Sequence, residues 1–242
     1  VLEIADVSVR FGGITAVSEV SLAANAGRIT GLIGPNGAGK TTTFNVITGL
    51  QAPTQGRVFI AGQDVNKLPP YKRARLGVAR TFQRLEVFGS LTVYENLLAA
   101  AEFHRSWSDD ATFPRDVAAE IIAKVGLGTV AEARVDALPT GLARLVELGR
   151  ALATRPRLLL LDEVGSGLSG DETEALGDLM LDLTREGMAI LLVEHDVELV
   201  MRVCSQIYVL DFGRLIASGT PAEIQQDAAV QAAYLGVDEE SA

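Results

Sequence analysis

Cysteine occurs once in the 242 residues, at Cys204, which excludes an intrachain disulfide and suits a reducing compartment. A lone thiol of this kind reads as a small buried apolar side chain. Positive charge is also short: 21 Lys and Arg stand against 31 Asp and Glu, a net charge of −10. That balance argues against general nucleic-acid affinity, which rests on clustered cations neutralising phosphates. One local exception is residues 71–84, where Lys72, Arg73, Arg75, Arg80 and Arg84 occur with no acid among them, so a basic patch stays open there. Long apolar runs are missing too; the longest, residues 158–161 and 189–193, fall far short of the roughly 18 needed to cross a bilayer. No stretch reads as a signal peptide. Val1 in place of methionine is what a trimmed chain, or one domain of a longer one, would show. Aromatics are scarce at 5%, yet 48% hydrophobic and 21% charged residues describe a globular chain large enough to bury a substantial core.

What is present is organised around residues 34–41, GPNGAGKT, which fit G-x-x-x-x-G-K-[ST] at every fixed position. An apolar strand candidate (28–33) precedes the motif. A helix follows, with Thr43, Val46, Ile47 and Leu50 on one face and Gly49 as its stop. In such a loop Gly34, Asn36, Gly37, Ala38 and Gly39 turn backbone N–H groups toward an anion, Pro35 is part of the same binding loop without an N–H of its own, and the helix start adds positive dipole. Lys40 would reach the terminal phosphates, Thr41 would ligate Mg2+, and Thr42 extends the cradle.

The opening stretch changes phase near Ala5 and Asp6, predicting a bulged or broken strand ended by Gly12 and Gly13. Further strands are expected at 16–22, 57–61 and 78–82, with a short helix opened by Pro69 and Pro70. From 85 onward helix signals take over: Thr92 and Glu95 form a capping box, and a second helix runs through Val117, Ile121, Ile122 and Val125 after a polar break at 106–110. His104 and Trp107 beside that break read as structural or surface residues. Beyond a helix at 142–153, strands and helices alternate as in a parallel sheet with crossovers: 158–162, 171–185, 189–193, 197–204 and 206–210. A hairpin return at 214–218 and a helix capped by Thr220, Pro221 and Glu223 close the pattern.

Residues 158–163, LLLLDE, deliver two carboxylates at the end of a buried strand, where open α/β sheets bind ligands. Asp162 would hold Mg2+ through its water shell, and Glu163 would polarise the water attacking a γ-phosphate. His195 emerges after the strand next in sequence and would sense that phosphate. Gln83, ending another strand, would reach the metal or the attacking water.

This set resembles the nucleotide-binding subunits of ABC transporters, with Gln83 in the Q-loop place, residues 138–142 (LPTGL) where the family signature lies, and His195 as the switch histidine. The resemblance spans almost the whole chain. LIGPNGAGKTTTFNVITGL, ARTFQRLEVFGSLTVYENLL and GTPAEIQQDAAVQAAYLG look more narrowly like the ATPase subunits of branched-chain amino-acid importers. It implies an α/β fold: a P-loop NTPase core with a mainly parallel sheet, an N-terminal antiparallel β region and an inserted helical subdomain. The segments expected are 1–84 (β region and phosphate loop), 85–141 (helical), 142–236 (second part of the core) and 237–242 (acidic tail). It also implies ATP and Mg2+ as ligands, Phe11 as the aromatic residue stacking on adenine unless it is strand core, permease subunits as partners, and a place on the cytoplasmic face of the membrane through them. Family members grip the permease with the helical subdomain and the segment after Gln83.

Two such subunits, alike or different, would meet head to tail, each signature serving the other's ATP. Here the chain departs from the pattern. Where LSGGQ is common it has Pro139, which lacks an N–H, then Thr140 and Gly141; Thr140 is expected to cap the following helix. Val164 replaces the usual proline and Ser169 the usual aspartate. An asymmetric pair, or a subfamily tolerant of a loose signature, would explain these losses. Related transporters of another cargo (urea-like or other small polar solutes, or an export system) remain alternatives. A soluble ABC ATPase would need a second cassette, coiled coil or basic arm, and a kinase would need an acceptor site and a lid.

Overall fold

The three strands buried along their whole length, at residues 29–33, 158–162 and 189–193, pair in parallel, as strands covered on both faces do. The computed structural model describes residues 1–235, so the expected tail at 237–242 and residue 236 lie outside the described residues. The chain begins with β1 (Leu2–Phe11), β2 (Ile14–Ala24), β3 (Ile29–Ile33), α1 (Lys40–Thr48), β4 (Gln55–Ile60) and β5 (Gln63–Asp64). It continues through α2 (Pro70–Arg75), β6 (Val78–Arg80), α3 (Val93–Arg105), α4 (Pro114–Lys124) and α5 (Thr140–Leu152). β7 (Leu158–Asp162), α6 (Gly170–Arg185), β8 (Ala189–Val193) and α7 (Val197–Val203) follow. Last come β9 (Gln206–Asp211), β10 (Arg214–Gly219), α8 (Pro221–Gln226) and α9 (Ala228–Leu235).

One sheet, in the order β2-β1-β4-β5, is antiparallel; the other, β10-β9-β3-β8-β7-β6, is parallel except for β10. β7 shows how the two join. Leu158 and Leu160 pack in a cluster with Val7, Val17, Leu32 and Phe44 between the sheets, whereas Leu159 and Leu161 face the cluster that includes Leu97, Ile121 and Leu148 of the helices. Side chains alternating along one strand thus weld the antiparallel sheet to one face and the helices to the other. The strand order puts the ends of β3, β7 and β8 side by side, so the phosphate loop, Asp162 and the segment after Val193 share one edge.

Several expectations hold in detail. β1 is a single bulged strand: Asp6 has φ 50°, and its register with β2 shifts between Ile4 and Val7. Gly56 makes room for that bulge, since a Cβ there would lie 2.4 Å from the Asp6 carbonyl oxygen. The capping boxes at Thr92 and Thr220 form, and Gly49 ends α1 in the left-handed region. His104 and Trp107 pack edge to face, ring centroids 4.6 Å apart. Cys204 is buried, and burial pushes its thiol up to about 12.

Two expectations are corrected. Leu50 is 57% exposed and lies off the buried face of α1, where Phe44 fills the core instead. The run of cations at 71–84 is not one surface patch: Arg73 is buried, donating to the carbonyls of Leu68, Val46 and Ile47, and the Arg80 side chain is buried against Asp162. Burial with carbonyl or carboxylate partners spends those charges inside the fold.

Candidate active site

The loop between β3 and α1 is shaped by close approach as well as by turning. A Cβ on Gly34 would lie 2.1 Å from the Leu210 carbonyl oxygen, and one on Gly39 would lie 2.7 Å from that of Ala16. Gly37 and Gly39 take φ of 81° and 104°, which L side chains rarely adopt. Ala38 donates to the Pro35 carbonyl at 3.2 Å, tightening the turn, while Asn36 and Gly37 stay exposed. Lys40 opens α1, and its ammonium donates to the carbonyls of Gly34 (2.6 Å) and Pro35 (3.0 Å) across the loop. Burial pushes that ammonium below the ordinary lysine range, against the pull of the Glu163 and Asp162 carboxylates. The first N–H groups of α1 have no partner within the helix and give the cradle its positive end.

Asp162 ends β7, and its Oδ2 accepts from Arg80 Nη2 at 2.9 Å, both side chains being buried. The next residue leaves the strand with φ 53°, a strained value for a glutamate. Glu163 there accepts from Gln83 Nε2 at 3.3 Å and meets His195 Nε2 at 2.8 Å. Gln83, Asp162, Glu163 and the residues from Asn36 to Thr42 line one cleft of about 240 Å³. Segments far apart in sequence therefore bring an amide and an imidazole onto the Glu163 carboxylate, which lines the phosphate-loop cleft, while His195 itself lines a neighbouring pocket with Gly165 and Glu194.

A hard cation fits this donor set. The Thr41 hydroxyl, the Gln83 amide oxygen and the Asp162 carboxylate are oxygen ligands, and Mg2+ takes one or two carboxylates plus phosphate oxygens and waters rather than a closed protein cage. Among the described residues no group of three or more His, Cys, Asp and Glu forms such a cage.

The sequence reading missed the residues that hold these groups. Arg80 also donates through Nη1 to Asn45 Oδ1 at 2.7 Å and lies over the rings of Phe82 (4.8 Å) and Phe44 (5.2 Å). Glu194 accepts from the Gly165 N–H at 2.7 Å, tying the loop after Glu163 to the strand that carries His195; burial pushes its carboxyl above the ordinary range. Arg144 and Glu147, one helical turn apart on α5, are buried and paired at 3.1 Å. Arg144 donates to the carbonyls of Phe82 and Gln83, while Glu147 accepts from the Phe82 N–H, so α5 fixes the backbone that aims Gln83. Burial pushes the Glu147 carboxyl upward as well. A charged residue inside an apolar stretch was the available signal in each case. Beside this frame, a groove of about 480 Å³ opens between β6, α3 and α5, lined by Arg80, Phe82, Phe88, Phe103 and Arg150 among others.

The signature residues stand apart from this cleft. Pro139 and Thr140 are exposed, and none of Pro139, Thr140 and Gly141 lines it. Thr140 does not cap α5. Pro139 occupies the N-cap position, no side chain bonds the helix start, and Thr140 is the first helical residue. The proline supplies the extended backbone that precedes a helix, which shifts the expected start at 142 two residues earlier. Gly141 is buried against the chain's own loop: a Cβ there would lie 2.8 Å from Leu168 Cδ2 and 2.9 Å from the Gly167 carbonyl oxygen. Ser169 closes a capping box with Glu172 at the start of α6. Val164 is fully buried in the core. Phe11, at the end of β1, is 50% exposed, so it is not core.

Comparison with known proteins fits this geometry. The sequence model of the family described as ABC transporter matches residues 17–166, and that described as branched-chain amino acid ATP-binding cassette transporter matches residues 214–240. The chain is 39% identical to the high-affinity branched-chain amino acid transport ATP-binding protein BraF of Pseudomonas aeruginosa, covering 98% of each chain. It is 38% identical to the lipopolysaccharide export system ATP-binding protein LptB of Haemophilus influenzae, covering 91% of this chain and 90% of that one. A solved ATP-binding cassette of an ABC transporter superposes with a TM-score of 0.87 at 29% identity, covering 97% of this chain and 98% of the other.

Proposed function

The chain belongs to the ATP-binding family of ABC transporters, and from that premise we propose that it is the Mg2+-dependent ATPase subunit of an importer carrying branched-chain amino acids. The meeting of Gln83, Glu163 and His195 beside the phosphate loop carries the hydrolytic part of this reading. Lys40 and the loop N–H groups hold the phosphates, and Phe11 offers its exposed ring to adenine. Bound Mg2+ would offset negative charge on the phosphate oxygens, with Thr41, Gln83 and Asp162 as its protein-side oxygens. Glu163 accepts a proton from the attacking water, and His195 orients that carboxylate through the 2.8 Å contact while facing the γ-phosphate. No helix among the described residues is long and apolar enough to cross a membrane, so permease subunits supply the path and hold this subunit at the cytoplasmic face. The groove bordered by α3 and the segment after Gln83 is where the permease would dock.

Cargo is supported by the match at residues 214–240 and by the names of the importer relatives. An export ATPase is the second reading, favoured by the lipopolysaccharide-export relative. Reconstitution with its permeases in vesicles separates them: the import reading expects ATP turnover to rise with leucine-loaded binding protein, and turnover indifferent to it would sink that reading. Replacing residues 84–90 with an inert loop is expected to abolish transport, and full transport would remove the permease assignment. For the ATPase pair we propose asymmetry, in which this chain's cleft works against a signature from a different subunit. Equal turnover per ATPase subunit, alone and with that partner, would leave the tolerant-signature account instead.

A further inference from the structure

Arg80 is shared between two places that the transport cycle has to connect. Its guanidinium is buried, pairing with Asp162 at 2.9 Å and donating to Asn45 on α1 at 2.7 Å. The same residue lines the groove, as does Phe82, whose ring packs against the guanidinium and whose backbone leads into Gln83. No other residue bonded to Asp162 through a side-chain charge is found among the described residues. A cation held on a metal-binding carboxylate competes with the metal: pairing neutralises the carboxylate and places a like charge against the incoming ion.

We propose that Arg80 is a latch on Asp162, a positioning residue that keeps the carboxylate paired while the groove has this shape and yields it when the permease segment docked in the groove displaces Phe82 and the Arg80 stem. This rests on the reading of Asp162 as the Mg2+ carboxylate. It gives the groove and the metal site a reciprocal influence on each other, because whatever loosens the latch at one end is felt at the other.

The test uses the full chain, a fluorescent ADP analogue and Mg2+. In Arg80→Met, which keeps the stem and drops the charge, affinity for the analogue without Mg2+ is expected to stay near wild type, while the Mg2+ midpoint for tightening falls about tenfold. Arg80→Lys, with a charge that cannot serve Asp162 and Asn45 together, should fall between. A fluorophore on Phe103→Cys, 65% exposed in the groove, should respond to Mg2+ in the wild-type background and lose the response with Arg80→Met. Should Arg80→Met not fold, Asn45→Ala, which removes the second hold on the guanidinium, is expected to lower the midpoint about twofold to threefold. An unchanged or raised midpoint in the folded variant overturns the latch, and so does a lowered midpoint with the groove signal intact. Wild-type binding indifferent to Mg2+ would overturn the metal reading of Asp162 and the latch with it.

Discussion

The cleft beside the phosphate loop and the face carrying Pro139, Thr140, Gly141 and Ser169 are built on different principles. In and around the cleft, polar side chains at or just beyond the ends of β6, β7 and β8 bond one another across long sequence separations: Gln83 to Glu163, Glu163 to His195, Arg80 to Asp162. On the signature face the polar contacts are local. Ser169 caps its own helix, Thr140 starts one, and Gly141 packs against the loop at Gly167 and Leu168. A site assembled from distant elements is complete in one subunit as far as it goes; a face satisfied by its own helix starts has nothing aimed at the chain's own cleft. That contrast is what the proposed head-to-tail pair would require.

The sharpest break in the comparison is Glu163→Gln. It keeps the shape and the neighbours Gln83 and His195 but removes the proposed proton acceptor, so ATP turnover is expected to fall about 10²- to 10⁴-fold with nucleotide binding retained. Turnover within a few-fold of wild type would put the reacting base elsewhere. Next comes Arg144→Met, which leaves Glu147 buried and unpaired. Urea unfolding is expected to show a loss of about 3 kcal/mol, and a loss well under that would mean that Glu147 sheds its charge without cost.

Glu194 gives a smaller, pH-dependent effect. Its carboxyl is raised above the ordinary 4.5 by burial, so the folded state binds its proton more tightly than the unfolded one. That contribution is full below the ordinary value and is lost as pH climbs through the raised one. Relative to wild type, Glu194→Gln should therefore gain stability as pH rises above about 4.5, seen as a difference in Tm across a pH series. A constant difference would show that the carboxyl titrates normally. On the other face, Ser169→Ala should lower Tm by only a few degrees and leave nucleotide affinity unchanged, whereas Ser169→Asp keeps the cap. The smallest effect is at Cys204, whose thiol, raised to about 12 and buried, should resist thiol reagents in the native protein at pH 8.

Much of the cleft was legible beforehand because its chemistry sits in short contiguous motifs at strand ends. The phosphate loop, the pair ending β7 and the histidine after β8 each announce themselves locally, and a parallel sheet gathers strand ends at one edge. The supporting residues were not legible for the opposite reason. Arg80 looked like part of a basic run, and Arg144, Glu147 and Glu194 carry no motif that singles them out; only partners elsewhere in the fold show what each one does. Leu50 and Phe44 exchanged places for a related reason, since the face of a short helix is set by the sheet beneath it and not by its own spacing alone.

By itself the sequence determined the order of elements, the phosphate-loop motif and its flanking strand and helix, and the absence of any apolar run long enough for a membrane helix or of a second cysteine for an intrachain disulfide. Those follow from local rules of spacing, turn chemistry and composition. The tertiary structure decided which of the charges are spent inside. It buried Arg73 and Arg80 on carbonyls and a carboxylate, clamped the Gln83 backbone to α5, and set the signature helix two residues early on Pro139. The helix start is local, but the buried charges and the clamp on Gln83 are pairings that the folded chain alone brings about, fixed by burial that makes an unpaired charge too costly to keep.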